Sequence, residues 1–258
     1  MGGRPSVQAR GFPVIKQGVS FPSGTWVGQL TAPARAAFMA AGRERSYPAG
    51  ALFQHFAHAP VGLFVLLEGT AYAYLANAKG DNLLLRILAR GEILNEVAGA
   101  DDLPAPVFGA ARTAISTFFI PWRRFQQLRA QYIDIHLAVA VAATRRYRAA
   151  LRVVEELSLM TLRERAMARL AWPAQDAAGK AVLDAPAPID LTQTELAAML
   201  GVTRQATNKI LAQLEEEGLL AAQPRRIIVH QRLVTLAHAD RPLAVTAPFP
   251  SLGDDQST

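Results

Sequence analysis

Between Arg45 and Pro121 the apolar residues come in short runs: Ala51–Phe53, Gly62–Leu67, Thr70–Leu75, Asn82–Leu88 and Ser116–Ile120. Gly, Pro, Asn and Asp separate them. Short strands at spacings of roughly 8–12 residues predict an antiparallel barrel or jelly roll. Lys79-Gly80-Asp81-Asn82, lying between two runs, is a hairpin-turn signal. Ahead of the strands, Thr31–Gly42 predicts a short helix with Thr31 as cap and Pro33 in the first turn. After Trp122 the period becomes helical. Trp122–Tyr132 begins this region, and Leu137, Ala140, Thr144, Tyr147, Leu151, Val154 and Ser158 then recur at alternating spacings of three and four. That rhythm describes one coiled-coil seam over about three heptads, a candidate dimer interface. The plainer alternative is a helix packed on its own domain. Arg145, Arg146, Arg148 and Arg152 flank the seam and read as a solvated face. Thr161–Trp172 predicts a further helix stopped at Pro173.

The most informative stretch is Leu191–Leu220, LTQTELAAMLGVTRQATNKILAQLEEEGLL. Thr192 and Glu195 have capping-box spacing, and Leu196, Ala197 and Leu200 give the helix they open one apolar face. Gly201 falls where a tight turn needs positive φ, with Val202 closing it. Thr203 caps a second helix whose apolar positions are Ala206, Ile210, Leu211 and Leu214. Arg204, Gln205, Asn208 and Lys209 fall on its opposite side. Arg, Gln and Asn can each bridge two atoms on a base edge, and Lys pairs with phosphate or guanine. A helix-turn-helix places such residues near the start of its second helix, the end that enters the major groove. Gly218 ends the helix, strands follow at Leu219-Leu220 and Ile227–Val229, and Gln223-Pro224-Arg225-Arg226 makes a basic turn between them. This is a winged helix, with Arg225 and Arg226 at the wing tip suited to phosphate.

Composition narrows the classes. A chain of 258 residues with 51% hydrophobic residues can bury two cores, which excludes global disorder. The absence of cysteine removes disulfides, thiolate metal sites and cysteine nucleophiles. A net charge of +6 favours an anionic partner, nucleic acid before membrane. The excess is not at the reading helix: residues 190–236 carry five basic and five acidic side chains, whereas 122–170 carry ten Arg against four acids. Local placement must therefore supply affinity at the reading helix. No run is long and apolar enough to span a membrane, and no signal-peptide core precedes the domains. Met1-Gly2 with Ser6 matches a myristoylation pattern too short to carry weight.

A β-roll, a long dimer helix and a C-terminal winged helix, in that order, resemble the cyclic AMP receptor protein and fumarate–nitrate reductase regulator (Crp/Fnr) family over roughly Arg45–Leu236. The likeness is most specific in LTQTELAAMLGVTRQATNKILAQLEEEGLL; Leu157–Arg165 is similar to the family's hinge and following helix, and Ile120–Phe125 to the close of its roll. The family's reading helix carries Ser/Thr-Arg-Glu and a later Arg. Here Thr203 and Arg204 are kept, Gln205 replaces the Glu and Lys209 the Arg. The resemblance therefore implies DNA binding with a site altered opposite Gln205, since an amide suits adenine where a carboxylate suits cytosine. Lys209 loses the rigid fork.

At the sensor end the family holds a cyclic phosphate with a Gly-Glu-Leu turn and an Arg-Ser-Ala segment. This chain has Asn95-Glu96-Val97 and Ala105-Pro106-Val107, keeping only the Glu, and Ala150-Leu151 stands where a polar pair touches adenine. An anion would lose a charge-assisted partner worth roughly 1.5–3 kcal/mol. Cyclic nucleotide binding is therefore not expected, and the pocket residues Asn95, Glu96, Ala150 and Leu151 read as degenerate. Glu96, with no acid–base partner in the sequence, reads as structural or vestigial. His55 and His58 read as loop residues.

These features predict an α+β chain: a flexible arm (1–25), a β-roll of the cyclic-nucleotide-binding-like jelly-roll type (26–132), a central dimerisation helix (133–160), a winged helix-turn-helix (161–238) and a disordered tail (239–258). The expected function is a cytoplasmic, homodimeric bacterial transcription regulator, not an enzyme, with no metal or cofactor. Its expected partners are double-stranded DNA and a second copy, with RNA polymerase a further candidate and an effector unnamed or absent. The DNA-contacting set is Thr192, Thr203, Arg204, Gln205, Asn208, Lys209, Arg225 and Arg226. Rival readings are a roll that is only a dimer scaffold, a cupin-like enzyme fused to a winged helix (His55, His58 and His136 are too scattered for its metal set), and a winged helix that contacts protein.

Overall fold

A computed structural model describes residues 21, 25–172, 187–223 and 225–239. The predicted arm apart from Phe21 and Thr25, the expected linker around Gln175–Pro188 up to residue 186, and the tail from 240 lie outside them. The chain divides into two compact units between Arg152 and Val153.

The first unit opens with α1 (Ala32–Ala41), then β1 (Arg43–Tyr47), β2 (Leu52–Gln54), β3 (Gly62–Glu68), β4 (Ala71–Ala76), β5 (Asn82–Leu88) and β6 (Ile93–Leu94). A short α2 (Glu96–Asp101) follows, then β7 (Phe108–Ala111), β8 (Ile115–Pro121), α3 (Trp122–Gln131) and α4 (Ile133–Leu159), whose last turns belong to the second unit. The strands form two antiparallel four-stranded sheets, in the orders β1-β8-β3-β6 and β2-β7-β4-β5. This is the predicted roll.

The central strands explain the unbroken apolar runs. Leu63 and Val65 on β3, with Phe118 and Ile120 on β8, pack with Phe38 of α1, Phe125 and Leu128 of α3, and Ile135 and Val139 of α4. Their neighbours Phe64, Leu66 and Phe119 point the other way, against Phe53, Leu88 and Leu94 inside the roll. Strands buried on both faces read as continuous rather than alternating hydrophobic segments. Gly62 is required where β3 crosses β8, because a Cβ there would lie 2.2 Å from the Ile120 carbonyl oxygen.

In α4 the two faces diverge. Ile135, Val139 and Ala142 are buried against the roll. Leu137, Val141, Tyr147, Leu151 and Val154 run along the other side and remain exposed, Tyr147 at 65% and Leu151 at 49%. Ala140 and Thr144 share that exposed stripe.

The second unit holds α5 (Leu162–Ala171), β9 (Ala187–Ile189), α6 (Gln193–Leu200), α7 (Arg204–Glu216), β10 (Leu220–Gln223), β11 (Arg226–Val229) and α8 (Gln231–Ala239). The wing has three strands in the order β10-β11-β9, one more than the sequence predicted. Its core is Met167 and Leu170 from α5, Leu196 and Leu200 from α6, Leu211 and Leu214 from α7, and Leu233 from α8.

Candidate nucleic-acid interface and effector pocket

The turn between α6 and α7 is built by caps. Thr192 and Glu195 form the predicted capping box: the Glu195 amide donates to Oγ1 of Thr192 at 3.1 Å, and the Thr192 amide to Oε2 of Glu195 at 2.7 Å. Gly201 ends α6 with φ of 66°, the left-handed conformation its position demands. Thr203 then starts α7, accepting from the Ala206 amide at 3.2 Å.

On α7, Leu211 and Leu214 are buried while Arg204, Gln205, Asn208 and Lys209 are all exposed. The four residues predicted to read DNA therefore lie together on the exposed side of α7. Arg225 and Arg226 are exposed at the wing turn. Thr207, unremarked in the sequence, is fully buried and donates to the Thr203 carbonyl at 3.2 Å. Arginines on α5 hold this motif from behind. Arg165 donates to the Leu200 carbonyl at 3.2 Å, and Arg163 pairs with Glu217 at 2.5 Å.

At the candidate effector pocket Glu96, expected to be structural or vestigial, has two arginine neighbours that the sequence did not identify. Its side chain is 3% exposed and pairs with Nε of Arg146 on α4, with Nη2 of Arg86 on β5 3.6 Å away. Arg86 also donates to Glu92 at 2.8 Å and to the Ile93 carbonyl at 3.1 Å. Arg146 is thus part of a buried cluster and not of the solvated face predicted for it, because it continues the Ile135, Val139, Ala142 stripe at helical spacing. Burial lowers the pKa of Arg86 below the ordinary guanidinium value; the charge of Glu96 opposes this, that of Arg146 reinforces it, and that of Glu92 opposes it again.

Asn95 stands at φ of 77°, where a left-handed residue opens the α2 turn and Asn is the best substitute for Gly. Its Nδ2 donates to Oε1 of Gln54 at 2.6 Å and to the Gly62 carbonyl at 2.8 Å, pairing it with a buried Gln54 that the sequence did not single out. Ala105 is buried, and its amide donates to the His58 carbonyl at 3.1 Å while its carbonyl accepts from Ala57 at 2.9 Å. The backbone at this position is committed to the neighbouring turn. Ala150 and Leu151, one turn beyond Arg146, are exposed. His55 and His58 are exposed with ring centroids 5.2 Å apart, and no group of three or more metal-ligating side chains occurs among the described residues.

A roll with a paired carboxylate in its turn, followed by a winged helix-turn-helix, defines the class of two-domain DNA-binding regulators. Comparison with known proteins gives the family. The cyclic nucleotide-binding domain profile matches residues 44–132, and the Crp-like helix-turn-helix domain profile matches residues 163–234. The cAMP-activated global transcriptional regulator CRP of Escherichia coli O6:H1 is 22% identical over 185 residues, 71% of this chain and 88% of that protein. Its counterpart from Haemophilus influenzae is 21% identical over 185 residues, 71% of this chain and 82% of the relative. Among solved structures, the c-di-GMP responsive global regulator CLP of Xanthomonas campestris shares the fold with a TM-score of 0.66 at 19% identity, covering 78% of this chain and 99% of that one. FixK2 from Bradyrhizobium japonicum does so with a TM-score of 0.63 at 15% identity, over 77% and 96%. The chain belongs to the Crp/Fnr family of DNA-binding transcription regulators.

Proposed function

We propose that this regulator works as a homodimer whose two α7 helices enter successive major grooves of a near-palindromic site, without cyclic AMP as its signal. Arg204, Gln205, Asn208 and Lys209 read base edges or adjacent phosphates, while Thr192, Thr203, Arg225 and Arg226 fix the backbone. The observation that carries this is the exposure of all four reading residues on one side of α7, backed by buried Leu211 and Leu214. In functional terms the roll is 26–132, the dimerisation helix 133–160 and the DNA-binding domain 161–238. The uncovered stripe from Leu137 to Val154 supports pairing through α4, since each large apolar side chain buried there contributes about 1.5–3 kcal/mol. Cytoplasmic residence follows from the same role; no described helix is long and apolar enough to cross a membrane.

The test is selection of bound sequences from a random DNA pool, followed by titration at several salt concentrations. A dimer contacting many phosphates loses on the order of a thousandfold in affinity between ~50 and ~200 mM salt. Arg204→Ala abolishes preference for the selected site and leaves nonspecific binding largely intact. Preference surviving that substitution would overturn the assignment of the reading helix.

A further inference from the structure

We infer that Arg86, Glu96 and Arg146 form a built-in tether that takes the place of a bound effector, fixing the first half of α4 to the roll so that this chain binds DNA without a small-molecule signal. The last step rests on the DNA-binding reading above; the tether itself does not.

Three observations carry it. First, the cluster is closed. Glu96 on α2 is nearly inaccessible and is gripped by Arg146 of α4, with Arg86 of β5 beside it; Arg86 is pinned by Glu92 and the Ile93 carbonyl. Glu92 in turn lies 3.9 Å from Arg146 and accepts from the Ala89 amide at 2.8 Å. One network therefore joins β5, the turn after it, α2 and α4.

Second, the cluster is neutral. Two guanidinium groups face two carboxylates, so among these four described groups an incoming phosphate finds no uncompensated cation and would have to evict a carboxylate that is already paired. Third, the segment that the family resemblance aligns with the phosphate-holding Arg-Ser-Ala supplies nothing in exchange. Position 105 is an alanine whose amide and carbonyl both bond to the 57–58 turn, and position 106 is a proline with no amide hydrogen. A ligand moves an equilibrium only by its differential affinity for two states. Here the polypeptide provides, in one covalent piece, the anion that would otherwise come from outside.

The experiment measures hydrogen exchange of backbone amides in residues 139–150 of the full-length protein, with operator affinity read alongside. The variants are Glu96→Gln, Arg146→Gln and their double. The probes are cyclic AMP, cyclic GMP and cyclic di-GMP at millimolar concentration. In the wild type the three nucleotides leave exchange and DNA affinity unchanged. Each single variant speeds local exchange by roughly tenfold or more and weakens DNA binding, and the double is no worse than the singles because they break one shared interaction. Arg146→Lys, which keeps the charge and loses the second donor, gives an intermediate acceleration and decides the matter if the Gln variants do not fold. Unchanged exchange in the variants, additive effects in the double, or a nucleotide that slows wild-type exchange or tightens its DNA binding would each sink the tether. A wild type that binds no DNA refutes the preceding section instead, and the exchange result still stands.

Discussion

The guanidinium of Arg165 on α5 donates to the carbonyl oxygen of Leu200, the last residue of α6, at 3.2 Å. The final carbonyls of a helix have no partner within it, and a cation there also meets the negative end of its dipole. The contact therefore fixes the helix that leads into the turn before α7. Arg165→Ala is expected to cost about 1–2 kcal/mol. In calorimetry this is a drop in melting temperature, accompanied by weaker binding to all DNA sequences with base preference unchanged. An altered preference would mean that Arg165 touches DNA itself.

Gln205 is exposed in the first turn of α7. An amide both donates and accepts, matching N6 and N7 of adenine, whereas a carboxylate only accepts, matching N4 of cytosine. Gln205→Glu is expected to move the preferred base at one position of each half-site from adenine to cytosine, with discrimination of about 1–3 kcal/mol. Sequencing of selected pools before and after the substitution reads this out.

Leu137 and Leu151 lie on the uncovered stripe of α4, 56% and 49% exposed. Placing Asp at both is expected to leave each chain folded, because neither contributes to the buried cores, while splitting the dimer. Sedimentation equilibrium then gives a single-chain mass, and affinity for a two-half-site operator falls on the order of a hundredfold or more as the second contact ceases to be intramolecular.

Glu164 caps α5 through the Thr161 backbone amide, at 2.6 Å, and the Thr161 hydroxyl, at 2.8 Å. The amide first, then the hydroxyl, holds its carboxyl below the ordinary glutamate value of 4.5. Because the folded value is the lower one, the cap's contribution is complete above the unfolded value and disappears as pH falls through the folded one. Thr161→Ala is expected to raise the Glu164 value part of the way back, since the amide remains. A carboxyl titration by NMR measures it.

Most of the architecture was written in periodicity. The runs at Gly62–Leu67 and Asn82–Leu88 became β3 and β5, and the three-four rhythm after Ile133 became the uncovered face of α4. What escaped notice did so for physical reasons. Strand β1, Arg-Glu-Arg-Ser-Tyr, sits at a sheet edge and needs no apolar run; β9 holds Pro188 at another edge, where a missing donor is tolerated. Strand β7 is Phe-Gly-Ala-Ala and has little intrinsic preference for extension.

The charged cluster was legible in part. Arg86 shares strand parity with Leu88, buried inside the roll, and Arg146 shares a helical stripe with Val139 and Ala142. Two cations on inward-facing parities are a signal of an internal partner. Reading Arg146 as one of a basic run hid it. That Glu96 was the partner required tertiary contact between segments about 50 residues apart in sequence.

The double engagement of Ala105 by the 57–58 turn also bears on how substitution can change the roll. An arginine at that position would keep both main-chain bonds but would have to fit a long charged side chain where the alanine methyl is 1% exposed. Removing Arg86 would leave the nearly inaccessible Glu96 with Arg146 but without its second cation. Either change costs stability before it gains a contact, so a variant selected to bind a new anion is expected to build its site elsewhere on the roll.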